Sequence, residues 1–346
     1  MRALVLGGHG GLEQLTVRDD LPVPELDGPH AVRIRMEAVA LNRLDLFVMT
    51  GWPGLTLTPD WVPVADGTGV VDAVGEAVTR VKVGDTVIMN PGISCRACAY
   101  CLANQQPLCL RYQILGEDRS GTAAEFCVVP EWGLDAVPAG IPAAERAAFG
   151  LATLTAYRMV VGKAKVQAGD QMLIWGIGGG VALAALQLAK ARGAYVWVTS
   201  GDPGKLERAK ALGADKVLNH TTENVPAVIR AATAKRGVDV VIDSVGAATW
   251  TRSLGCLSRA GRLVTCGGTS GPMVETDVRR LFMNQWTISG STMGSEAEWA
   301  AVAAEFRAGG LRPPVDSVFP LEEARAAYAR LQSGQQFGKV VIEVRA

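Results

Sequence analysis

QMLIWGIGGGVALAALQLAKARG, residues 171–193, carries the reading that decides the fold. The first five residues form a short apolar strand, the last thirteen repeat apolar side chains at helical spacing, and the join is glycine-rich. Glycine at such a turn lets a backbone approach a pyrophosphate closely, while the helix start offers unpaired N–H groups and the positive end of its dipole. The strict G-x-G-x-x-G spacing fails, because Val181 stands where a third glycine belongs. G-x-x-G-x-x-A fits instead, with Gly176, Gly179 and Ala182. Gly176, Gly178, Gly179, Gly180 and Val181 are therefore the candidate phosphate cradle of a dinucleotide, with a purely structural tight turn as the alternative.

Downstream the pattern repeats. AYVWVT, KVLN, DVVIDSV, GRLVTCG and WTISG read as strands with apolar-periodic helices between them, which predicts parallel strands joined by helical crossovers in a doubly wound sheet. Upstream, AVRIRMEAVAL, GTGVVDAVG and DTVIMNP are short β-rich segments punctuated by Gly, Pro and Asp, the pattern of a partly open β-barrel. Beyond WTISG come two helices, EAEWAAVAAEFRAGG and LEEARAAYARLQSG, and a last strand, KVVIEV, that rejoins the N-terminal domain. The expected architecture is α/β in two domains: a barrel domain over 1–152 and 291–346, and a doubly wound cofactor domain over 153–290.

Composition narrows the function. A chain of 346 residues exceeds what one hydrophobic core usually serves, and 49% hydrophobic with 20% charged residues excludes a disordered chain. Thirty-four basic residues balance 34 acidic ones, leaving no summed field for nucleic acid or an anionic membrane, so the expected partners are small molecules. No stretch reaches the roughly 20 apolar residues of a spanning helix. The glycine-broken start MRALVLGGHGG is unlike an export signal, which points to the cytoplasm. Of seven cysteines, Cys127, Cys256 and Cys266 lie scattered in apolar surroundings and read as core residues in a reducing compartment.

The other four fall in CRACAYCLANQQPLC: Cys95, Cys98, Cys101 and Cys109, spaced C-x2-C-x2-C-x7-C. Four thiolates give the closed tetrahedral shell of a structural zinc, with no open position for substrate. An iron–sulfur cluster is the alternative, but its usual run closes with a cysteine three residues after the third, followed by Pro.

On the cofactor side, AYVWVT ends where an Asp or Glu usually bonds the ribose 2′-hydroxyl of NAD. Ser200 and Gly201 stand there instead. Asp202, just before Pro203, reads as a helix cap. With Lys205 and Arg208 following, a 2′-phosphate is accommodated, and NADP(H) is favoured over NAD(H).

The cysteine lobe (about 91–112), GTGVVDAVG, VKVGDTV, the glycine turn, GVDVVIDSVG, GRLVTCGG and the terminal FGKVV together resemble the medium-chain dehydrogenase/reductase superfamily over nearly the whole chain. Within it the cysteines are similar to those of zinc-lobe alcohol dehydrogenases, and the glycine turn to that of quinone oxidoreductases. The resemblance implies a GroES-like catalytic domain, a Rossmann domain and hydride transfer. Where relatives with a catalytic zinc carry Cys, His and Cys ligands, this sequence has Asn42, Ala65 and Leu151, and none of His9, His30 and His220 lies at the family's position. Those three residues cannot form the usual zinc site.

The resemblance matches Asn42 and Asp45 to the N-x-x-D of quinone oxidoreductases. Asn42 would donate to an oxygen gaining charge, with Asp45, Asp66 or water as proton relay; buried structural acids are the alternative. By the same resemblance Arg43 contacts the pyrophosphate and Thr155 lies against the nicotinamide. Tyr112 and Glu117 are expected to face the cleft, with Tyr112 packing the lobe as its alternative; Trp52 and Trp61 line an apolar pocket or sit in the core. The expected activity is NAD(P)H-dependent reduction of a quinone, enone or other activated carbonyl with one structural zinc. The alternatives are an alcohol dehydrogenase or aldehyde reductase that lacks the usual zinc or binds a metal through Asp45 and Asp66, and a non-catalytic cofactor-binding protein. A homodimer or homotetramer is expected, with WTISG as a sheet edge.

Overall fold

Alternating burial along the chain builds the first sheet. The computed structural model describes residues 1–52, 54–138 and 140–344. The chain divides into two compact units, Met1–Leu154 with Gly294–Ala346, and Thr155–Met293. In the first unit, β1 (Ala3–Leu6) and β2 (Leu15–Arg18) pair antiparallel. β3 (Ala31–Ala40) buries Val32, Ile34, Met36 and Ala38 while Arg33, Arg35 and Glu37 turn outward, the period of a strand with one face on a core. α1 (Arg43–Thr50), β4 (Asp66–Val74), β5 (Thr86–Met89), β6 (Gly92–Ile93), α2 (Ala99–Leu102), β7 (Gln113–Ile114), β8 (Phe126–Pro130), β9 (Leu134–Ala136) and α3 (Ala143–Tyr157) follow.

The second unit alternates strictly: β10 (Gln171–Ile174), α4 (Gly180–Ala191), β11 (Tyr195–Ser200), α5 (Pro203–Ala211), β12 (Lys216–Asn219), α6 (Val225–Ala232), β13 (Val238–Asp243), α7 (Trp250–Cys256), β14 (Leu257–Thr265), α8 (Val278–Asn284) and β15 (Thr287–Gly290). Its six strands are all parallel in the order β12-β11-β10-β13-β14-β15, so the winding reverses between β10 and β13. That reversal is the place where doubly wound sheets bind ligands. Leu173, Trp175, Trp197, Val241 and Trp250 share its core. β15 is an edge strand, as WTISG was expected to be.

The chain then returns to the first unit through α9 (Glu296–Arg307), β16 (Val315–Pro320), α10 (Ala324–Gln332) and β17 (Lys339–Glu343). The seven-stranded sheet runs β16-β17-β3-β4-β5-β9, with β8 also on β3. β17 rejoins it as expected, antiparallel to β3. β16 was not expected: VDSVFP is short, polar in part and closed by proline, which only an edge strand tolerates. A second departure concerns the scattered cysteines. Cys127 and Cys256 are buried, but Cys266, just past β14, is only half-buried. Among the described residues, no helix is long and apolar enough to cross a membrane.

Candidate active site

Three strand ends define the site. Antiparallel pairing sets Ala40 at the end of β3 opposite Asp66 at the start of β4, and Val341 of β17 opposite the same Ala40. The Leu41 N–H bonds the Val340 carbonyl at 2.9 Å and carries the β3–β17 register onward. That register brings Lys339, the first residue of β17, beside Asn42. Lys339 Nζ donates to Asn42 Oδ1 and, at 2.9 Å, to Asp66 Oδ2. Asn42 Nδ2 donates to the same Asp66 oxygen at 2.9 Å, closing a triangle of three buried side chains.

Asp66 Oδ1 is taken as well, by the Leu151 N–H at 2.6 Å. This bond depends on Gly150, where ψ is −107° and α3 kinks, and a Cβ at Gly150 would stand 2.2 Å from Asp66 Oδ1. On the other side Val64 holds φ +77°, a conformation a β-branched residue adopts only when its surroundings impose it. Thr122 Oγ1 lies within hydrogen-bond distance of the carbonyls on either side of this turn, those of Val64 and Asp66, and donates to them. Both Asp66 oxygens are thus engaged, Oδ1 by one donor and Oδ2 by two. Asn42 likewise spends its amide inward, on Asp66 and, at 3.4 Å, on the Ala40 carbonyl.

Asp45 differs. It is 1% exposed; its Oδ2 accepts the Asn42 N–H at 2.5 Å, and among the described residues no donor makes a full hydrogen bond to its Oδ1, although the Ala65 N–H lies near the carboxyl. Burial pushes its carboxyl up to about 7, against the pull of the Asn42 N–H and the Lys339 charge and with a further push from Asp66. A carboxyl that titrates near neutrality is suited to proton transfer. Tyr328 Oη, from α10, is also buried without a partner among the described residues, and burial with the nearby Asp45 charge holds its phenol well above the ordinary range.

Metal chemistry at this place needs donors. Ala65 and Leu151 have none to give, and Asn42 Oδ1 already faces an ammonium. Among the described residues, the one group of three or more His, Cys, Asp or Glu side chains able to hold a metal is the four cysteines. Asp45 and Asp66 are two carboxylates without a third His, Cys, Asp or Glu in reach among the described residues, and Asp66 already accepts three hydrogen bonds. His9 lies between the Val48 and Leu55 carbonyls, His30 on Glu131, and His220 beside Thr199 Oγ1.

Other expected residues are placed variously. Arg43 is exposed at the start of α1. Thr155 is buried in the last turns of α3. Trp61 belongs to the core, its Nε1 on the Gly116 carbonyl, whereas Trp52 is at the surface. Tyr112 lies across Gly92 in the lobe, and Glu117 is half-buried, its carboxyl raised to about 7 by burial and by Asp118. Lys339 was missed altogether. Its only sequence signal, one cation opening the apolar run KVVIEV, marks a strand end as readily as a site.

The glycine turn has the form a dinucleotide needs. Gly176 adopts φ +68°, and its N–H and that of Ile177 are pinned to Thr199 at the end of β11. A Cβ at Gly179, the N-cap of α4, would meet nothing within 4 Å, so the helix start faces open space. Asp202 caps α5 by accepting the Lys205 N–H at 3.1 Å, and Ser200 Oγ accepts the Asp202 N–H. Asp202 thus has one of its two oxygens engaged as a helix cap.

In the lobe, all four cysteine sulfurs lie within 4.8 Å of one another, Cys95 to Cys101 at 3.8 Å and Cys98 to Cys101 at 3.5 Å. Sulfurs about 2.3 Å from a common zinc sit roughly 3.8 Å apart in a tetrahedron, so the set fits that ion. The N–H groups of Ala97 and Cys98 pull the Cys95 thiol down to about 5, toward the thiolate a metal requires.

Comparison with known proteins agrees. Residues 28–139 match the alcohol dehydrogenase GroES-like domain family, and residues 180–308 the zinc-binding dehydrogenase family. A quinone oxidoreductase of Pseudomonas aeruginosa is 31% identical over 99% of this chain and 99% of its own length. A zinc-type alcohol dehydrogenase-like protein of Schizosaccharomyces pombe is 30% identical over the same shares. Among solved structures, an NAD-dependent alcohol dehydrogenase superposes with a TM-score of 0.94 at 44% identity over 100% of both chains. The chain belongs to the medium-chain dehydrogenase/reductase superfamily. Its activity is that of an NAD(P)-dependent oxidoreductase.

Proposed function

We propose that this enzyme reduces quinones, enones or other activated carbonyls with NAD(P)H and without a catalytic metal. The observation that carries the reading is the engagement of both Asp66 oxygens by Asn42, Lys339 and the Leu151 N–H, beside Ala65 and Leu151 side chains that offer no metal donor. Activated acceptors need only a hydride and a nearby proton or hydrogen-bond donor. The bound dihydronicotinamide supplies the hydride. Asp45, with one free oxygen and a carboxyl near neutrality, is the proton donor; Asn42 and Asp66 hold its surroundings in place.

For the cofactor, Gly176, Gly178, Gly179, Gly180 and Val181 would cradle the pyrophosphate at the start of α4. Ser200 and Lys205 would meet the ribose, with Asp202 held as the cap of α5 through one of its oxygens, which supports NADP(H) over NAD(H). Arg43, with no ion pair among the described residues, suits a phosphate, and Thr155 the nicotinamide. Cys95, Cys98, Cys101 and Cys109 would hold one structural zinc, and the seven unpaired thiols support a cytoplasmic setting. Edge strand β15 beside the exposed Val278, Phe282 and Met283 of α8 supports a homodimer.

A second reading, an alcohol dehydrogenase or aldehyde reductase using NAD, is supported by the 44% identical NAD-dependent alcohol dehydrogenase. A cofactor-oxidation screen over quinones, enones, aldehydes and alcohols with both cofactors separates them. Preference for primary alcohols with NAD would reverse the ranking.

A further inference from the structure

We propose that the second unit carries a binding pocket for a small phosphate-bearing anion, built around Lys235, Arg236 and Arg259 at the end of its sheet opposite the glycine turn. All six strands of that sheet are parallel, so the turn after β10 lies at their C-terminal ends, whereas the pocket sits where β13 and β14 begin. Hydride transfer gives these cations no role. The pocket has a volume of about 280 Å³, close to the lower end of the roughly 300–1,000 Å³ usual for small-molecule sites.

Arg230, from α6, holds the pocket together. Its Nη1 donates to the Lys235 and Arg236 carbonyls at 2.7 and 3.0 Å, its Nη2 to the Leu257 carbonyl at 2.8 Å, and its Nε to the Gly255 carbonyl at 3.3 Å. This clasp ties the turn after α6 to the start of β14, so the two segments that bear the other cations are held at a fixed spacing. The turn keeps an uncommon backbone form: Ala234 and Lys235 have φ of +48° and +67°, and Ala260, next to Arg259, has φ of +56°. Strained backbone of this kind collects where a ligand is held.

The charge in the pocket is one-sided. Arg230, Lys235, Arg236 and Arg259 line it, and among the described residues no acidic side chain does. Asp239, close by, is already taken by both Arg236 Nη atoms and the Gln171 N–H. Arg230 is spent on carbonyls, whereas the Lys235 and Arg259 side chains have no partner among the described residues. The whole chain balances 34 basic against 34 acidic residues, so this excess is local, and cations gathered around one hollow repel until an anion enters. A phosphate group brings about two negative charges and three acceptor oxygens, enough to engage the Lys235 ammonium and the Arg259 fork together. Leu257 and Ser258, both buried, complete the wall.

The test titrates the enzyme, with and without saturating cofactor, with inorganic phosphate and with pyrophosphate at constant ionic strength. Binding is read by calorimetry for the parent and for Lys235→Ala/Arg259→Ala, in which both replaced side chains are exposed. Cofactor Kd, measured by fluorescence, serves as the control for the fold. The expected result is saturable binding of at least one of the two anions at one site per chain, with or without cofactor, weakened at least about tenfold in the double variant while cofactor Kd stays within about twofold. If the double variant fails to bind cofactor, Lys235→Gln and Arg259→Gln measured singly take its place, each expected to weaken the anion at least about threefold. Absence of saturable binding by the parent, or equal binding by the variants, overturns the proposal. Binding seen only without cofactor also overturns it, because the anion then sits in the glycine turn. So does a single-stranded oligonucleotide that binds more tightly than pyrophosphate, which would make the surface a nucleic-acid face.

Discussion

Lys339 Nζ lies 2.9 Å from Asp66 Oδ2 where the two side chains are 4% and 0% exposed. An ion pair this deep tolerates the loss of neither half, because the survivor is left charged without water or partner. Asp66→Asn and Lys339→Met are each expected to destabilise the protein by about 3 kcal/mol or more, and the double substitution to recover much of that. Urea denaturation of the three variants measures the coupling directly. Simple additivity would mean the pair is not the anchor described here.

Gly150 lets the Leu151 N–H reach Asp66, since a Cβ there would collide with Oδ1 at 2.2 Å. Gly150→Ala, usually helpful in a helix, should therefore cost about 1–3 kcal/mol. Thermal unfolding checks the sign: a stabilised variant would show that the kink does not serve the carboxylate.

Asp45 makes a pH prediction. Its carboxyl ionises at about 7 in the fold, chiefly because it is buried, and at about 4 when unfolded, so the folded state holds the proton more tightly. The stability this brings is complete below pH 4 and is lost as pH rises through 7. Asp45→Asn cannot ionise and keeps an oxygen for the Asn42 N–H. Its stability relative to the parent should rise by on the order of 2–3 kcal/mol between pH 5 and pH 8.5, because most of the interval between the two pKa values lies in that range. Melting temperatures at the two values decide the matter; an equal offset at both would remove Asp45 as the titrating group.

What the sequence shows and what it hides divide along contact distance. The strand, glycine turn and helix of 171–193 are local, so period and punctuation suffice to read them, and the C-x2-C-x2-C-x7-C spacing is similarly self-contained. β16 escaped because an edge strand need not look apolar. Lys339 escaped for a different reason: its partners lie 297 and 273 residues away, and only the register of β17 on β3 brings them together. The resemblance matches Asn42 and Asp45, and Asp66 enters as a relay candidate, but neither gives the cation linking Asn42 to Asp66, nor the way Asn42 turns its amide inward. The Gly150 kink left no trace in a stretch that otherwise reads as a continuous helix.

Cofactor preference follows from the end of β11. With Asp202 spent as a cap, Ser200→Asp would restore an acid beside the ribose. The ratio of kcat/KM for NADH over NADPH should rise at least about tenfold, equivalent to ~1.4 kcal/mol. A parent that already prefers NADH, and a ratio unmoved by the substitution, would place the determinant elsewhere.

The central claim is that the reduction needs no catalytic metal. Zinc content measured on the active protein, with enone or quinone turnover followed through mild chelation, tests it most directly. The account predicts about one zinc per chain, held by the four cysteines, and turnover that survives removal of any loosely held ion. Two zincs per chain, with activity lost as the second is stripped, would contradict it.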